Sequence, residues 1–224
     1  MADLFLRHGR EAEAERLAKV RVQEKPVLHV LEWLQKYYQT RGNLGAELEV
    51  ASTLFRAQPF VRRYQELRDL ARRLDRWEKL RLELLAFLEQ AGNTTLIIQI
   101  ALEEGNLDTA LQRLQGMATK DSYGYTYNKG HGYYGFGDIA LEVARAAEEL
   151  RPHEAIELYR QSAERLIGLR GRQNYEEACK YLAKMHALYE KLSEQEAWTS
   201  YLTALREQNR NLRALKEELA NAGW

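Results

Sequence analysis

The chain has 224 residues, and its 33 basic side chains (lysine and arginine) balance its 33 acidic ones, so its formal net charge is zero. With this balance, the net charge gives no reason to expect binding to nucleic acids or to membrane surfaces. Only three prolines and 14 glycines interrupt a composition rich in alanine, leucine, glutamate and arginine, which are strong helix formers. The composition therefore predicts an all-α protein.

The cysteine content and the absence of long apolar stretches indicate a compartment. Cys179 is the single cysteine, so no internal disulfide can form, and a reducing compartment is the default for such a chain. No stretch approaches the roughly 18 apolar residues of a membrane span, and residues 1–10 lack the apolar core of a secretory signal. We therefore expect a cytoplasmic protein in which Cys179, on an apolar helical stripe, is a packed core thiol.

Apolar side chains at helical spacing predict a series of helices in the first half of the chain. Pro26 and Pro59 are expected to open the helices that follow them. Thr94 or Thr95 is expected to cap the next-to-last helix of the series. The expected helices cover residues 3–8, 11–25, 27–41, 44–57, 60–74, 77–91, 96–104 and 107–117.

The breakers in this half recur at a fixed distance. Pro26 and Pro59 lie 33 positions apart, and so do Gly9 and Gly42. Glycine, helix, proline and helix at a period near 34 residues is the spacing of tetratricopeptide (TPR) hairpins. Each such hairpin exposes apolar surface that a neighbour must bury. The spacing predicts TPR-like helical-hairpin repeats that form a right-handed α-superhelix.

Residues 119–137 break the regularity, because they read TKDSYGYTYNKGHGYYGFG, with five glycines and five tyrosines. This composition predicts a long loop in one continuous solenoid, between helical repeats at 1–118 and further repeats with a cap at 138–224. Tyrosines on such a loop are good contact residues for a partner. The tyrosines in question are Tyr123, Tyr125, Tyr127, Tyr133 and Tyr134.

Chemistry-bearing patterns are weak in this chain. Residues 130–135 match the G-x-G-x-x-G pattern of dinucleotide-binding folds, but no strand is readable before them, and the pattern requires one. The five histidines show no H-x-x-x-H spacing for a metal, and His186 lies on an apolar stripe as a core or interface residue would. No G-x-S-x-G or reactive-cysteine signature occurs. We expect no catalytic residue, no metal and no cofactor.

The C-terminal part is predicted to be helical again. Asp138 is expected to cap a helix over residues 139–150, and Pro152 to start another that runs to about Ile167. Two long helices should then fill Asn174–Trp224 as a capping pair. The second of them carries an unbroken stripe from Trp198 to Ala222, with apolar side chains at steps of three and four.

One segment is locally basic. Its eight cations oppose the four carboxylates Glu66, Asp69, Asp75 and Glu78, and several of them share a face if one helix continues through the segment. Three interpretations stay open: phosphate binding, an acidic partner, or a charged face with internal pairs that the acidic residues 142–157 complement. The cations are Arg62, Arg63, Arg68, Arg72, Arg73, Arg76, Lys79 and Arg81.

The C-terminal sequence resembles a known family. The motifs RGRQNYEEA at 170–178 and YLAKM at 181–185, followed by Trp198 and the ending at Gly223-Trp224, are similar to the C-terminal region of prokaryotic SWIM zinc-finger proteins. In that family a Cys-x-Cys…Cys-x-His zinc module precedes a long helical-repeat tail. With one cysteine this chain cannot hold the module, so the resemblance implies the helical tail of a larger protein, without enzymatic activity.

The expected function is a non-catalytic scaffold that binds a protein or peptide on its concave face. Trp33, Tyr37 and Tyr64 are the expected aromatic contacts, together with the loop tyrosines, and arginines form the rim. The alternative is an accessory nucleic-acid-binding module that uses the basic segment Arg62–Arg81. Retention on heparin or DNA that falls steeply with salt would favour the alternative.

Overall fold

A computed structural model describes residues 11–24, 27–120 and 136–224 of the chain. These residues contain α-helices joined by short turns and no β-strand, as the composition predicts. Among the described helices, none has the length and apolar content that crossing a bilayer requires. The helices are α1 (Glu11–Glu24), α2 (Leu28–Arg41), α3 (Leu44–Ala57), α4 (Val61–Arg73), α5 (Trp77–Gln90), α6 (Thr94–Glu103), α7 (Leu107–Lys120), α8 (Phe136–Ala147), α9 (Pro152–Leu169), α10 (Arg172–Lys191), α11 (Gln195–Gln208) and α12 (Arg213–Asn221).

Several predicted helix starts need correction. Pro59 does not open α4, because Phe60 is the N-cap and the helix begins at Val61. Neither threonine caps α6, which begins at Thr94 behind the cap Asn93. The start of α9 at Pro152 is confirmed, with proline in the first turn.

The boundaries predicted for the Gly/Tyr loop are wrong at both ends. The helix α7 continues to Lys120 and α8 starts at Phe136, so residues 119–120 and 136–137 are helical. Asp138 consequently lies inside the first turn of α8 rather than before it.

Three Gly-Asn pairs each end one helix and begin the next. The glycines have φ angles of 65°, 66° and 72°, in the left-handed region where glycine has no steric penalty. Each following asparagine accepts a hydrogen bond at its side-chain oxygen from the backbone N–H three residues later, at 3.1 to 3.2 Å. One dipeptide therefore supplies both a C-terminal stop and an N-cap. The pairs are Gly42-Asn43, Gly92-Asn93 and Gly105-Asn106.

The chain divides into two compact units, Met1–Ile100 and Ala101–Trp224. In the first unit consecutive helices from α1 to α5 pack in adjacent pairs. A core cluster joins α3, α4, α5 and α6, and a smaller one joins α1 and α2. Phe55, Tyr64, Leu67, Leu84 and Leu88 are fully buried in the larger cluster.

The second unit is built on the two longest helices, α9 with 18 residues and α10 with 20. Both contribute fully buried alanines, such as Ala163 and Ala178, and small side chains allow helix axes to approach closely. The helices α8 and α12 pack against α9 and α10 respectively. Arg172 at the start of α10 forms ion pairs with Glu217 and Glu218 of α12, which ties the last helix to the unit.

The C-terminal stretch has three helices where two were predicted. The expected continuous stripe breaks after Gln208, because α11 ends there and α12 starts only at Arg213. The Asn209 side chain donates to the Leu205 carbonyl at 2.9 Å. Such local bonds let asparagine compete with helix propagation. Gln208, which interrupts the apolar stripe in the sequence, is exposed.

The interpretation of Cys179 as a packed thiol is confirmed. Its side chain is buried in α10. Burial raises the pKa of the thiol to about 11, and the charge of Glu218 adds to the rise. The group is therefore protonated and unreactive at neutral pH.

Candidate functional site

The prediction that Tyr64 contacts a partner is wrong. Its side chain is fully buried and lies between Phe55 of α3 and Trp77 of α5, with 5.2 Å between its ring centroid and that of Trp77. A buried aromatic of this kind contributes to the core rather than to a surface. The sequence could not distinguish the two roles, because the same helical spacing suits either.

Tyr37 is also a packing residue. It is buried and donates a hydrogen bond from its hydroxyl to Glu15 of α1 at 3.4 Å. Its ring stacks on Trp33 at 5.2 Å and lies under the Arg41 guanidinium at 4.7 Å. The prediction that Tyr37 contacts a partner is thus wrong. Trp33 is half-buried, and its contact with a partner stays a prediction.

The remaining aromatic predictions fall outside the described residues. This applies to Tyr123, Tyr125, Tyr127, Tyr133 and Tyr134 and to the G-x-G-x-x-G match at 130–135.

The basic segment is divided between two helices, so no single helix face runs through it. The helix α4 ends at Arg73, and Asp75 has a φ of 54° in the left-handed region. The Arg76 N–H donates to the Ala71 carbonyl and the Asp75 N–H to the Arg72 carbonyl. These two bonds form the glycine-type helix stop, here with aspartate in place of glycine.

Four of the eight cations have partners inside the chain. Arg62 pairs with Glu66 one helical turn away at 3.2 Å. Arg68 pairs with Asp69 at 3.3 Å, and Arg81 is half-buried and has a partner within the chain. The fourth, Arg63, makes several hydrogen bonds within the chain.

Arg63 holds three elements together. Its Nη1 donates to the carbonyl oxygens of Leu54 and Gln58, both at 3.2 Å, and its Nη2 donates to Glu32 of α2 at 3.2 Å. Its guanidinium lies 4.7 Å from the Phe60 ring centroid. With 12% of its side chain exposed, Arg63 acts in the fold rather than in binding.

The other four cations form what we call the basic junction: Arg72 and Arg73 at the end of α4, Arg76 in the turn, and Lys79 in the first turn of α5. All four are exposed. Their side chains make no hydrogen bond or ion pair with another described residue. Two exposed carboxylates, Asp75 and Glu78, lie in the same stretch. The junction therefore carries a local excess of positive charge.

The start of α5 adds to this positive character. Its N-cap, Arg76, makes no side-chain cap bond, unlike the asparagines at the Gly-Asn pairs. The first N–H groups of α5 consequently lack a side-chain acceptor, and the positive end of the helix dipole lies between the Arg76 and Lys79 positions.

One buried carboxylate lies near the junction. Glu47 of α3 is 7% exposed. Burial raises the pKa of its carboxyl, and the nearby charge of Arg73 opposes that rise. The sequence gives no signal for this contact, since 26 positions separate the two residues.

The acidic residues of the second unit have partners of their own. Glu148 accepts from Tyr159 at 2.6 Å and pairs with Lys184 at 3.2 Å, and Glu149 pairs with Lys191 at 2.6 Å. We call these five residues the ion-pair region. Their charges are therefore compensated by partners within the second unit.

Among the residues that the structure describes, two buried polar atoms of the second unit lack a hydrogen bond of ordinary geometry, the Nε of Arg160 and the hydroxyl of Tyr201. A buried polar group left unpaired costs about 1–3 kcal/mol. Arg160 nevertheless pairs through its Nη2 with Glu157. These atoms mark the least satisfied part of the second unit, and sequence patterns did not indicate it.

His186 contacts the aromatic residues of the C-terminal end. Its ring centroid is 5.1 Å from that of Trp198 and 6.3 Å from that of Trp224. Its Nε2 lies 3.6 Å from Glu190. In the parts of the chain that the structure describes, no three histidine, cysteine or acidic side chains come together as metal ligands would.

Comparisons with known proteins give one partial similarity. No protein-family model matches the chain. A segment of 68 residues is 37% identical to a Bacillus subtilis (strain 168) protein named "Uncharacterized protein YwqB". That segment covers 30% of this chain but only 13% of the length of YwqB, so the similarity concerns a small part of a longer protein.

Proposed function

We propose that this chain is a non-catalytic helical scaffold that binds an acidic region of a partner protein at the basic junction. The observation that carries the proposal is the contrast within one segment. Four of its cations have partners inside the chain, and the other four are exposed and make no hydrogen bond or ion pair with another described residue. Clustered like charges repel each other. An acidic partner relieves this repulsion when it binds.

The junction is held in a fixed position, which favours recognition. Trp77, the first residue of α5, is 6% exposed and packs edge-on against the fully buried Tyr64. The turn itself is closed by backbone hydrogen bonds from Asp75 and Arg76. A preorganised surface loses less conformational entropy on binding than a mobile one.

We also propose that the helices follow a TPR-like repeat and form a right-handed α-superhelix. The support is the recurring Gly-Asn pair together with the pairwise packing of consecutive helices in each unit. An experimental structure in which consecutive hairpins stack with another handedness would contradict this assignment.

The resemblance to the C-terminal region of prokaryotic SWIM zinc-finger proteins supports a place for this chain in a larger zinc-finger protein. The reading frame that encodes the segment gives a direct check. We expect Cys-x-Cys…Cys-x-His upstream of it, and a full-length frame without this pattern would remove the assignment.

The binding proposal is tested by charge removal. The variant Arg72→Gln/Arg76→Gln/Lys79→Gln removes three cations and leaves Arg73 beside Glu47. A fluorescein-labelled peptide of alternating glutamate and alanine is the probe, and fluorescence anisotropy measures Kd. Because three exposed ionic contacts are lost, we expect Kd to rise about 10-fold.

A matched control removes the same charge elsewhere. Arg165, Arg206 and Lys216 are exposed cations of the second unit, and their triple glutamine variant should bind the peptide as the wild type does. The free energy of unfolding of both triple variants should be within about 0.5 kcal/mol of that of the wild type, because the substitutions are on the surface. Equal peptide affinity for both variants and the wild type contradicts the proposal.

A nucleic-acid module is the second candidate function, and the uncapped start of α5 between two cations favours it, since phosphates bind at helix N-termini. A labelled DNA duplex in the same assay separates the two. Each phosphate contact contributes about 0.9 to the slope of log K against log salt. This candidate is supported instead if the wild type binds DNA more tightly than the peptide, with a slope of about 3, and if the junction variant loses this DNA binding.

A further inference from the structure

We infer that the acidic partner is amphipathic: it places carboxylates on Arg76 and Lys79 and covers Leu82 with an apolar side chain. This inference rests on the proposed function and names the class of partner. It follows from the surface that continues along α5 beyond the basic junction.

Leu82 lies on the outward face of α5, where 66% of its surface is exposed. The core face of the same helix is formed by Trp77, Leu84 and Leu88, which are 6% exposed or less. Leu82 therefore adds nothing to the core of the first unit. It is the most exposed large apolar side chain that the structure describes in this unit.

Leu82 continues the junction along the helix. Lys79, Leu82 and Ala86 are spaced by three and four residues, so they share one face, and all three are exposed. Lys79 lies about 4.5 Å before Leu82 along the helix axis, and Ala86 about 6 Å after it. The face thus changes from cationic to apolar within one to two turns.

Two carboxylates lie beside this face: the exposed Glu78 one turn before Leu82, and Glu83 directly after it. The Glu83 carboxylate lies 3.9 Å from Arg56 of α3, which offsets part of its charge. A single exposed leucine needs no partner. This leucine, however, lies one turn from Lys79, whose side chain makes no hydrogen bond or ion pair with another residue that the structure describes.

The apolar part of the surface favours a protein over a nucleic acid. A phosphate backbone neutralises cations but does not cover a leucine, whereas a protein segment brings both groups. A helical segment with a carboxylate and a large apolar side chain one turn apart matches the spacing of Lys79 and Leu82. Charge complementarity then orients the segment, and the apolar contact adds affinity.

Two synthetic peptides of about 16 residues test the inference. Both carry glutamates on one helical face, and the first has leucines one turn from them where the second has serines. Anisotropy gives Kd for the wild type, for Leu82→Ala, and for Leu150→Ala. Leu150 is the matched control, because it is 72% exposed and belongs to the second unit.

We expect the wild type to bind the leucine peptide about 10-fold more tightly than the serine peptide, as burial of one leucine implies. Leu82→Ala should remove that advantage and leave the serine peptide unchanged, and Leu150→Ala should change neither. If Leu82→Ala keeps the full advantage, or if the wild type does not distinguish the two peptides, the inference is overturned.

The glutamine junction variant separates this failure from that of the proposed function. If the junction variant binds both peptides more weakly while Leu82→Ala has no effect, the proposal of an acidic partner is kept and only the apolar contact is rejected. If it weakens neither, the proposed function fails as well. Binding of the DNA duplex more tightly than of both peptides, without an effect of Leu82→Ala, overturns the inference in favour of the nucleic-acid module.

Discussion

The ion-pair region of the second unit and the basic junction of the first use similar charges in opposite ways. In the ion-pair region Lys184 and Lys191 reach glutamates 36 and 42 positions away, so their charges connect α10 to the residues after α8. In the basic junction the cations make no hydrogen bond or ion pair with another described residue. The comparison teaches that the number of charges in a segment does not show whether the fold uses them, whereas their hydrogen bonds and ion pairs do.

The largest effect should follow from removing the aromatic support of the junction. Tyr64→Ala leaves a cavity between Phe55 and Trp77, and truncation of a fully buried aromatic costs about 3–5 kcal/mol. Urea unfolding followed by tryptophan fluorescence measures the loss. Tyr64→Phe, which keeps the ring, should cost much less. A Tyr64→Ala variant of wild-type stability would show that the junction does not depend on this core.

A smaller, pH-dependent effect is expected in the ion-pair region. Burial raises the pKa of Glu148, but the hydrogen bond from Tyr159 and the contact with Lys184 lower it more, so the net pKa lies below its ordinary value of 4.5. A lowered carboxyl pKa adds stability above the unfolded pKa, and this stability is lost as the pH falls through the folded pKa.

Glu148→Gln should therefore cost about 1 kcal/mol at pH 7 and progressively less below pH 4.5. Urea midpoints between neutral and acidic pH measure the difference. Glu49→Gln, a change at an exposed glutamate in the middle of α3, is the control and should leave stability unchanged. A Glu148→Gln cost that does not shrink in acid contradicts the assigned role of the carboxylate.

The smallest effect, with the opposite sign, is expected at Glu47. Its pKa is raised by burial, so the stability it contributes is present below the unfolded pKa and is lost as the pH rises through the folded pKa. Glu47→Gln should thus stabilise the protein slightly at neutral pH, by under about 1 kcal/mol. Arg73→Gln should destabilise it by removing the opposing charge. Thermal melts at pH 4 and pH 7, which lie below and above the ordinary glutamate pKa of 4.5, measure both changes in stability. Equal shifts of Tm at the two pH values would contradict the assigned role of the Glu47 charge.

The sequence predicted the elements that depend on local chemistry. Helical spacing and breakers predicted the all-α class, and the bounds of α3 are those expected. The Gly-Asn pairs that end and begin helices can be read from the sequence in the same way, because left-handed glycine and asparagine caps act within one turn.

The sequence failed where distant residues decide. From the sequence, Tyr64 was as consistent with a surface contact as with a core residue. Its contacts with Phe55 and Trp77 show that it belongs to the core. The helix break near Asp75 was predicted, but the left-handed φ of Asp75 was not, because aspartate takes such a φ less often than glycine does. In the candidate site, the sequence showed where the basic segment lies. It did not show that Arg63 contacts other parts of the fold, which is known only from its hydrogen bonds in the structure.

The Gly-Asn pairs have a consequence for the history of such chains. Each pair completes one helix and starts the next with bonds that reach no farther than five residues. A gene duplication or deletion with its ends at two such pairs preserves the helix ends of the exchanged segment, which is α3 to α5 between the first two pairs and α6 alone between the last two. Chains built in this way are able to gain or lose helices by recombination without new boundary signals.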